Sequence, residues 1–382
     1  MKILIAGAGI GGLAAAIALA RAGHAVTLAE RASEWAPVGA GIVLAPNAAR
    51  ALQALGVEVS AHGRALPAAE LVTARGARLQ RLVPAEADPS YGPIWALARP
   101  ALHEALRAAL PASVEVLTGC AVSERSPARD VVEVALAGAT RRFDLLIGAD
   151  GLRSRIREQV HGAMPLRYSG VTCWRGLTGN PGFTEAIEAW GGAARIGLVP
   201  LPGDRLYYFL VLSAPPRAPT LRWPDGFTDA FGHLRGGVER LFETLTEAPP
   251  LHHDLEELEA PVWGQGRTWL LGDAAHAMTP NLGQGAAMAI EDALALTAAL
   301  DLGFDGALAR YQRSRHARVR RIQLASRRLG ALAHWQSSLG CAVRDSLLRA
   351  LPAALGRAQY RGVVEPGLAL VRQAQARLAP AG

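Results

Sequence analysis

A glycine-rich turn, Gly7-Ala8-Gly9-Ile10-Gly11-Gly12, stands directly after the apolar run Lys2–Ala6. Glu30 closes the next apolar run, Ala25–Glu30. In a G-x-G-x-x-G turn the first glycine, Gly7, permits the tight bend. The second, Gly9, lets the backbone approach a pyrophosphate, and the third, Gly12, lets helix and strand pack closely. The free N–H groups and positive dipole end of the following helix suit phosphate charge. An acid at the position of Glu30 accepts hydrogen bonds from a ribose 2′-OH. The pattern predicts dinucleotide binding and leaves FAD and NAD both open.

Two later segments carry aspartates at the ends of apolar strands. Asp144-Leu-Leu-Ile-Gly-Ala-Asp150-Gly151 is followed by Arg153, Ser154 and Arg155. Such a carboxylate lies at the carboxyl edge of a sheet, where α/β folds bind ligands. The same residues also suit a plain turn in which Asp150 caps a helix. Trp269-Leu-Leu-Gly272-Asp273-Ala-Ala-His276 leads to Pro280-Asn281-Leu282-Gly283-Gln284-Gly285. Asp273 is placed to accept hydrogen bonds from a sugar or ribitol hydroxyl. The Pro280–Gly285 turn enters a long helix, whose free N–H groups suit negative charge on a bound ring.

The elements that position these residues follow from periodicity and breakers. Leu13–Ala22 is alanine-rich and helical, with Gly23 as its C-terminal cap, so the chain opens as a βαβ unit. Helices are predicted from Pro46 to Leu55 and from Arg99 to Leu110, and another from Asp225 to Thr246. Strands are predicted at Val114–Leu117, Val131–Leu136, Phe143–Ile147 and Thr268–Leu271. Short pieces between Arg64 and Leu97 suggest an accessory sheet, and Leu166–Ser213 is β-rich. A long helix begins near Gly283, and the chain beyond Ala307 is helical and arginine-rich. This order predicts an α/β fold with a discontinuous Rossmann-like FAD- or NAD-binding domain over 1–65, 98–165 and 262–320. An inserted mixed or antiparallel sheet, 66–97 and 166–261, forms a substrate domain, and 321–382 forms C-terminal helices.

Composition excludes several classes. Half of the 382 residues are hydrophobic, which argues against global disorder. The net charge is +7 and rests on arginine, Lys2 being the only lysine. No nucleic-acid motif accompanies that charge. Cys120, Cys173 and Cys341 are too scattered for a disulfide framework or a zinc site. No apolar stretch reaches the roughly 20 residues of a spanning helix, and Met1–Ala6 leads straight into the glycine turn without a leader. These features predict a cytoplasmic protein.

Taken together, the segments from Lys2 to about Arg328 resemble the group A flavoprotein monooxygenases, similar to p-hydroxybenzoate, salicylate and urate hydroxylases. The Asp150–Gly151 and Gly272–Asp273 motifs are the specific part. Val38-Gly-Ala-Gly-Ile42, Pro46-Asn47, and Arg99 ahead of Leu102 and Leu106 also match. The resemblance implies a glutathione-reductase-like FAD-binding domain. FAD contacts would fall at Gly7, Gly9, Gly11, Gly12, Glu30, Arg31, Val43, Arg99, Val122, Asp150, Asp273, Pro280, Gly283 and Gly285. It further implies NADH or NADPH as co-substrate without a second nucleotide motif. Through a C4a-hydroperoxyflavin, oxygen would pass from O₂ to a small aromatic or heteroaromatic substrate. Most of that chemistry belongs to the cofactor, and the protein orients substrate and excludes water.

Arg195 and Tyr207 match substrate contacts of urate-hydroxylase-like relatives. Arg175 lies at another such position, where asparagine would fit those relatives better. Against these roles, Arg195 suits a sheet-surface arginine and Tyr207 an ordinary strand aromatic. His276 reads as support for its turn rather than as a base. Arg310, Arg313, Arg320, Arg321 and Arg328 read as a solvated helix face, with an anionic partner or membrane surface as the alternative. Competing functions are a flavin reductase of the same fold, an NAD dehydrogenase, and a flavin-free lipid-binding or escort protein. The late Gly-Asp segment argues against the last two, and a halogenase would carry a W-x-W-x-I-P motif that is absent here. A monomer or homodimer is expected.

Overall fold

The computed structural model describes residues 1–382 apart from 36–38, 123, 128–129, 137, 246–248 and 379–382. The first half runs β1 (Lys2–Ala6), α1 (Ile10–Arg21), β2 (Ala25–Ala29), β3 (Gly41–Leu44), α2 (Pro46–Ala54), β4 (Arg64–Leu66), β5 (Ala69–Thr73), β6 (Arg78–Leu82), α3 (Pro84–Ala87), β7 (Ile94–Ala98) and α4 (Arg99–Ala108). There follow β8 (Glu115–Leu117), β9 (Glu124–Pro127), β10 (Val132–Leu136), β11 (Ala139–Phe143), β12 (Leu145–Gly148), α5 (Arg155–His161), β13 (Arg167–Gly179), β14 (Ala186–Gly191), β15 (Ala194–Leu201), β16 (Arg205–Ser213) and α6 (Asp225–Phe231). The remainder is β17 (Leu251–Glu257), β18 (Gly264–Gln265), β19 (Thr268–Leu270), α7 (Asp273–His276), α8 (Gly285–Leu300), α9 (Ala307–Ala333), α10 (Ser338–Ala350) and α11 (Ala353–Leu378).

One sheet has the order β18-β19-β12-β1-β2-β8, parallel except for the edge strand β18. Its central strands are buried on both faces, as apolar runs such as Leu145–Gly148 require. A seven-stranded sheet has the order β17-β13-β16-β15-β14-β5-β6. Its two faces differ. Trp174, Ile196, Leu198, Tyr208 and Leu210 point to one side and pack under Phe227 and Phe231 of α6. Cys173, Arg175, Arg195, Tyr207 and Phe209 point to the other. The strands β3, β7 and β4 form a small antiparallel sheet against that second face.

Several sequence expectations are corrected. The helix expected over Asp225–Thr246 ends at Phe231, and Gly236 and Gly237, with φ of +83° and +99°, keep it from running on. A 3-10 turn, Val238–Glu243, follows, and Thr246 lies outside the described residues. The strand expected at Phe143–Ile147 is two strands in two sheets. The chain changes sheet at Asp144, whose carboxylate accepts the Lys2 N–H at 2.6 Å. The pieces between Arg64 and Leu97 split likewise, β5 and β6 joining the large sheet and β4 and β7 the small one. The boundary expected at 320/321 falls inside α9.

The expected solvated arginine face of α9 is only part of that helix. Arg313, Arg321 and Arg328 are exposed, but Arg310 donates to Ala299 O and Arg320 to the Glu259 carbonyl. Arg315 and Arg318 turn inward instead. Arg315 donates to Glu291 and Asp292 of α8, each at 2.7 Å, and Arg318 holds Glu291. Burial would raise both carboxyl pKa values. Arg315 and Arg318 outweigh it at Glu291, and His276 followed by Arg315 outweighs it at Asp292, so both lie below the usual carboxylate range. Removing one member of such a cluster strands a buried charge. Arg315→Met is therefore expected to cost about 3–5 kcal/mol in urea denaturation. A loss near that of an exposed ion pair, about 1 kcal/mol or less, would contradict this account.

Candidate active site

The glycine turn has the geometry its residue types require. Gly7 takes φ +106°, and a Cβ there would sit 2.5 Å from Ala149 O, against the Asp150 segment. A Cβ on Gly12 would sit 1.9 Å from Gly7 O, and one on Gly11 2.8 Å from Leu271 Cδ1. At Gly9, which caps α1, a Cβ would meet nothing. The turn is thus packed hard on its protein side and open where a pyrophosphate approaches. Glu30 follows β2 with its carboxylate accepting the Ala8 N–H at 2.8 Å, beside that opening, and Arg31 is exposed next to it. Val43 lies in β3, and Val122 is buried with Cys120 under the first sheet.

Asp150 is occupied structurally. Its carboxylate accepts from Ser154 Oγ at 2.5 Å and from the Arg155 and Ile156 N–H groups at the start of α5. This is the capping role that the sequence left open. Asp273 is different: it is exposed at the first turn of α7. His276 is buried, and its Nε2 donates to Asp292 at 2.5 Å. The same aspartate accepts the Gly272 N–H at 3.0 Å, so His276 belongs to the support of the turn, as expected. Pro280 and Gly283 are exposed, and a Cβ at Gly283 or Gly285 would meet nothing. Val38 lies outside the described residues.

Asp273, Arg99, Arg175 and Tyr207 lie close enough to act on one another. Arg99, the first residue of α4, keeps contact with solvent in the cleft. Surrounding protein atoms nonetheless desolvate it, and with Arg175 they lower its pKa, while Asp273 and Tyr207 oppose the shift. Burial pushes the Tyr207 phenol up to about 12, although Arg175 hydrogen-bonds to it. Gly41 makes the tyrosine's position possible, since a Cβ there would lie 2.3 Å from the Tyr207 ring. Arg175 also donates to His253 Nε2 at 2.5 Å. A guanidinium has only donors, so His253 accepts at Nε2 and carries its proton on Nδ1. Burial, together with Arg175, lowers His253 to about 4. Sequence reasoning missed His253, because His252 and His253 sit in an unremarkable strand and only the register with β13 brings one to Arg175.

Arg195 stands apart from this group. It is buried, not a surface residue, and its three nitrogens reach His334 at 2.9 Å, Glu188 at 3.0 Å and Asn281 Oδ1 at 2.8 Å. It therefore ties the large sheet to the Pro280–Gly285 turn.

The FAD binding domain family matches residues 1–228 and 239–326, a stretch containing every one of these positions except His334. The chain belongs to the group A FAD-dependent aromatic hydroxylases. It is 36% identical to aurachin C monooxygenase/isomerase of Stigmatella aurantiaca over 91% of this chain and 94% of that protein. It is 36% identical to 2-heptyl-3-hydroxy-4(1H)-quinolone synthase of Pseudomonas aeruginosa, covering 94% and 96%. The structure of Klebsiella pneumoniae HpxO complexed with FAD and uric acid is similar, with a TM-score of 0.87, 26% identity and coverage of 96% and 97%. This hydroxylase is an FAD-dependent monooxygenase with NADH or NADPH as co-substrate.

The residues fit that cofactor, since a Cβ at Gly9, Gly283 or Gly285 would project into open space that FAD would fill. In this hydroxylase Gly9→Ala is expected to leave apoprotein stability unchanged and to weaken FAD binding, whereas Gly12→Ala should lose both. Thermal melts of the apoprotein and flavin fluorescence titration check the pair. A pH dependence follows from the lowered imidazoles, His253 near 4 and His334 near 3 against an ordinary 6.5. The folded state binds fewer protons than the unfolded one below about 6.5. Stability is therefore full above that pH and falls as pH drops toward 4. His253→Gln should flatten the slope in urea denaturation across this window.

Proposed function

We propose that the protein hydroxylates a heteroaromatic ring bearing an ionisable or carbonyl oxygen, of the 4-quinolone kind, consuming O₂. The observation that carries this reading is the Arg175–His253–Tyr207 group on the face of the large sheet that meets β3 and β7, beside Arg99 and Asp273. The names of two relatives, at 36% identity over nine-tenths or more of the chain, support the substrate class. We further assign 1–65, 98–165 and 262–320 to a glutathione-reductase-like FAD domain continued by α9, with the large sheet as the inserted substrate domain. Gly7, Gly9, Gly11, Gly12, Glu30, Arg31, Val43, Arg99, Val122, Asp273, Pro280, Gly283 and Gly285 would hold FAD. Asp150 would act there through its turn.

FAD, when bound, supplies the hydride-accepting and oxygen-transferring chemistry. The chain's own residues do the rest. Arg175 donates to the substrate oxygen and favours its anionic form, which makes the ring electron-rich at the neighbouring carbon. His253 fixes the guanidinium from behind. Its Nε2 lone pair is engaged by Arg175, so it orients and does not take the substrate proton. Tyr207 stays protonated at neutral pH and offers its O–H as a donor. Leu177, Val199, Phe209 and Val211 share the face and wall it against water. Arg195 is a positioning residue here, because its donors are already engaged.

The test is NADH or NADPH oxidation with 2-alkyl-4-quinolones, scored against simple phenols and purines. Substrate should accelerate oxidation, and one atom of ¹⁸O₂ should appear in the product. Equal product formation without O₂ would establish a reductase instead, and a protein colourless after incubation with FAD would establish a flavin-free carrier. Arg175→Met should lower kcat/KM by about 10–100-fold, the worth of a charged hydrogen bond. Tyr207→Phe should cost about threefold to tenfold.

A further inference from the structure

Helix α10 is inside out for a protein in water. Its inner side is held by polar groups. Arg344 is 2% exposed, lies 5.3 Å over the Trp190 ring and donates to Ala333 O. Gln80 of β6 donates to Leu348 O. Its outer side shows Leu339, Val343 and Leu347, spaced four apart on one face and 77%, 46% and 64% exposed. Trp335 just before the helix and Leu355 just after it are also exposed, at 42% and 54%. These five stand among eight exposed large hydrophobic residues found in the described chain. A monomer in water gains nothing from such a patch.

The charges around it choose the occupant. Between residues 335 and 361 the only carboxylate is Asp345, and Arg344 is paired with it. Arg361 is held on Ala87 O, but Arg349 and Arg357 remain, so the charge left beside the apolar stripe is positive. A two-fold contact with a second copy would set this charge against itself. An anionic bilayer satisfies both parts, taking leucines and tryptophan at the acyl boundary and arginines at the headgroups. No helix among the described residues is long and apolar enough to cross a membrane, so the contact is superficial.

We propose that α10 and the start of α11 dock the protein on the surface of an anionic lipid bilayer. The holoprotein should co-sediment with phosphatidylglycerol vesicles, less with phosphatidylcholine vesicles, and less as salt rises. Leu347→Glu should weaken partitioning roughly tenfold or more, and Arg349→Gln about fivefold. Both variants should keep bound FAD and NADH or NADPH oxidation, since neither side chain touches the site. Quenching of tryptophan fluorescence by brominated lipid, reduced in Trp335→Phe, reads the same contact without disturbing the stripe. No sedimentation with either vesicle, or Leu347→Glu binding like the parent, overturns the proposal. So does a dimer that Leu347→Glu converts to monomer, which would show the stripe covered by a second copy.

Discussion

Two adjacent carboxylates, Glu291 and Asp292, lie fully buried in the middle of α8, and the site depends on how they are answered. Arg315 and Arg318 neutralise them from α9. The remaining lone pairs then organise the cofactor side. Asp292 accepts the Gly272 N–H and the His276 ring, fixing the turn that presents Asp273. Glu291 accepts from Asn47 of α2, whose amide also donates to Gln284 at the mouth of α8. A Cβ on Gly367 of α11 would lie 2.2 Å from Glu291 Oε1, so the last helix closes over the cluster. One charge balance thus positions the Gly-Asp turn, the Pro280–Gly285 turn and the start of α2.

Apolar residues of similar volume would often be as stabilising as such a cluster. What apolar packing cannot supply is direction. The four carboxylate oxygens accept from groups on α2, α7, α9 and the Gly272 turn, so sliding α8 by one residue would break several bonds together. This suits turns whose N–H groups must meet a cofactor within a fraction of an ångström. Arg195 extends the same logic to the substrate side, joining Asn281 of that turn to Glu188 and His334.

The legible parts of the sequence were those where backbone geometry dictates residue type locally. Gly7 at positive φ, Gly12 against Gly7 O and the Asp150 cap are each set within a few residues. Tertiary pairing hid the rest. Arg315 and Arg318 look like their exposed neighbours in an arginine-rich helix, and only the facing carboxylates of α8 distinguish them. His253 reaches Arg175 through strand register. The Phe143–Ile147 run read as one strand because its apolar character is continuous, while the sheet change at Asp144 is decided by partners remote in sequence.

Phe209 lies across Gly197, where a Cβ would fall 1.9 Å from the ring's Cζ. The ring occupies the space that any side chain at 197 would take, directly on the face that carries Arg175 and Tyr207. The shape of the face at that point is therefore set jointly by two positions, one minimal and one large. Bulk moved from 209 to 197 would shift the floor sideways without changing the total volume. A lineage adapting to a longer or broader ring system has in this pair a steric dial separate from Arg175 and Tyr207.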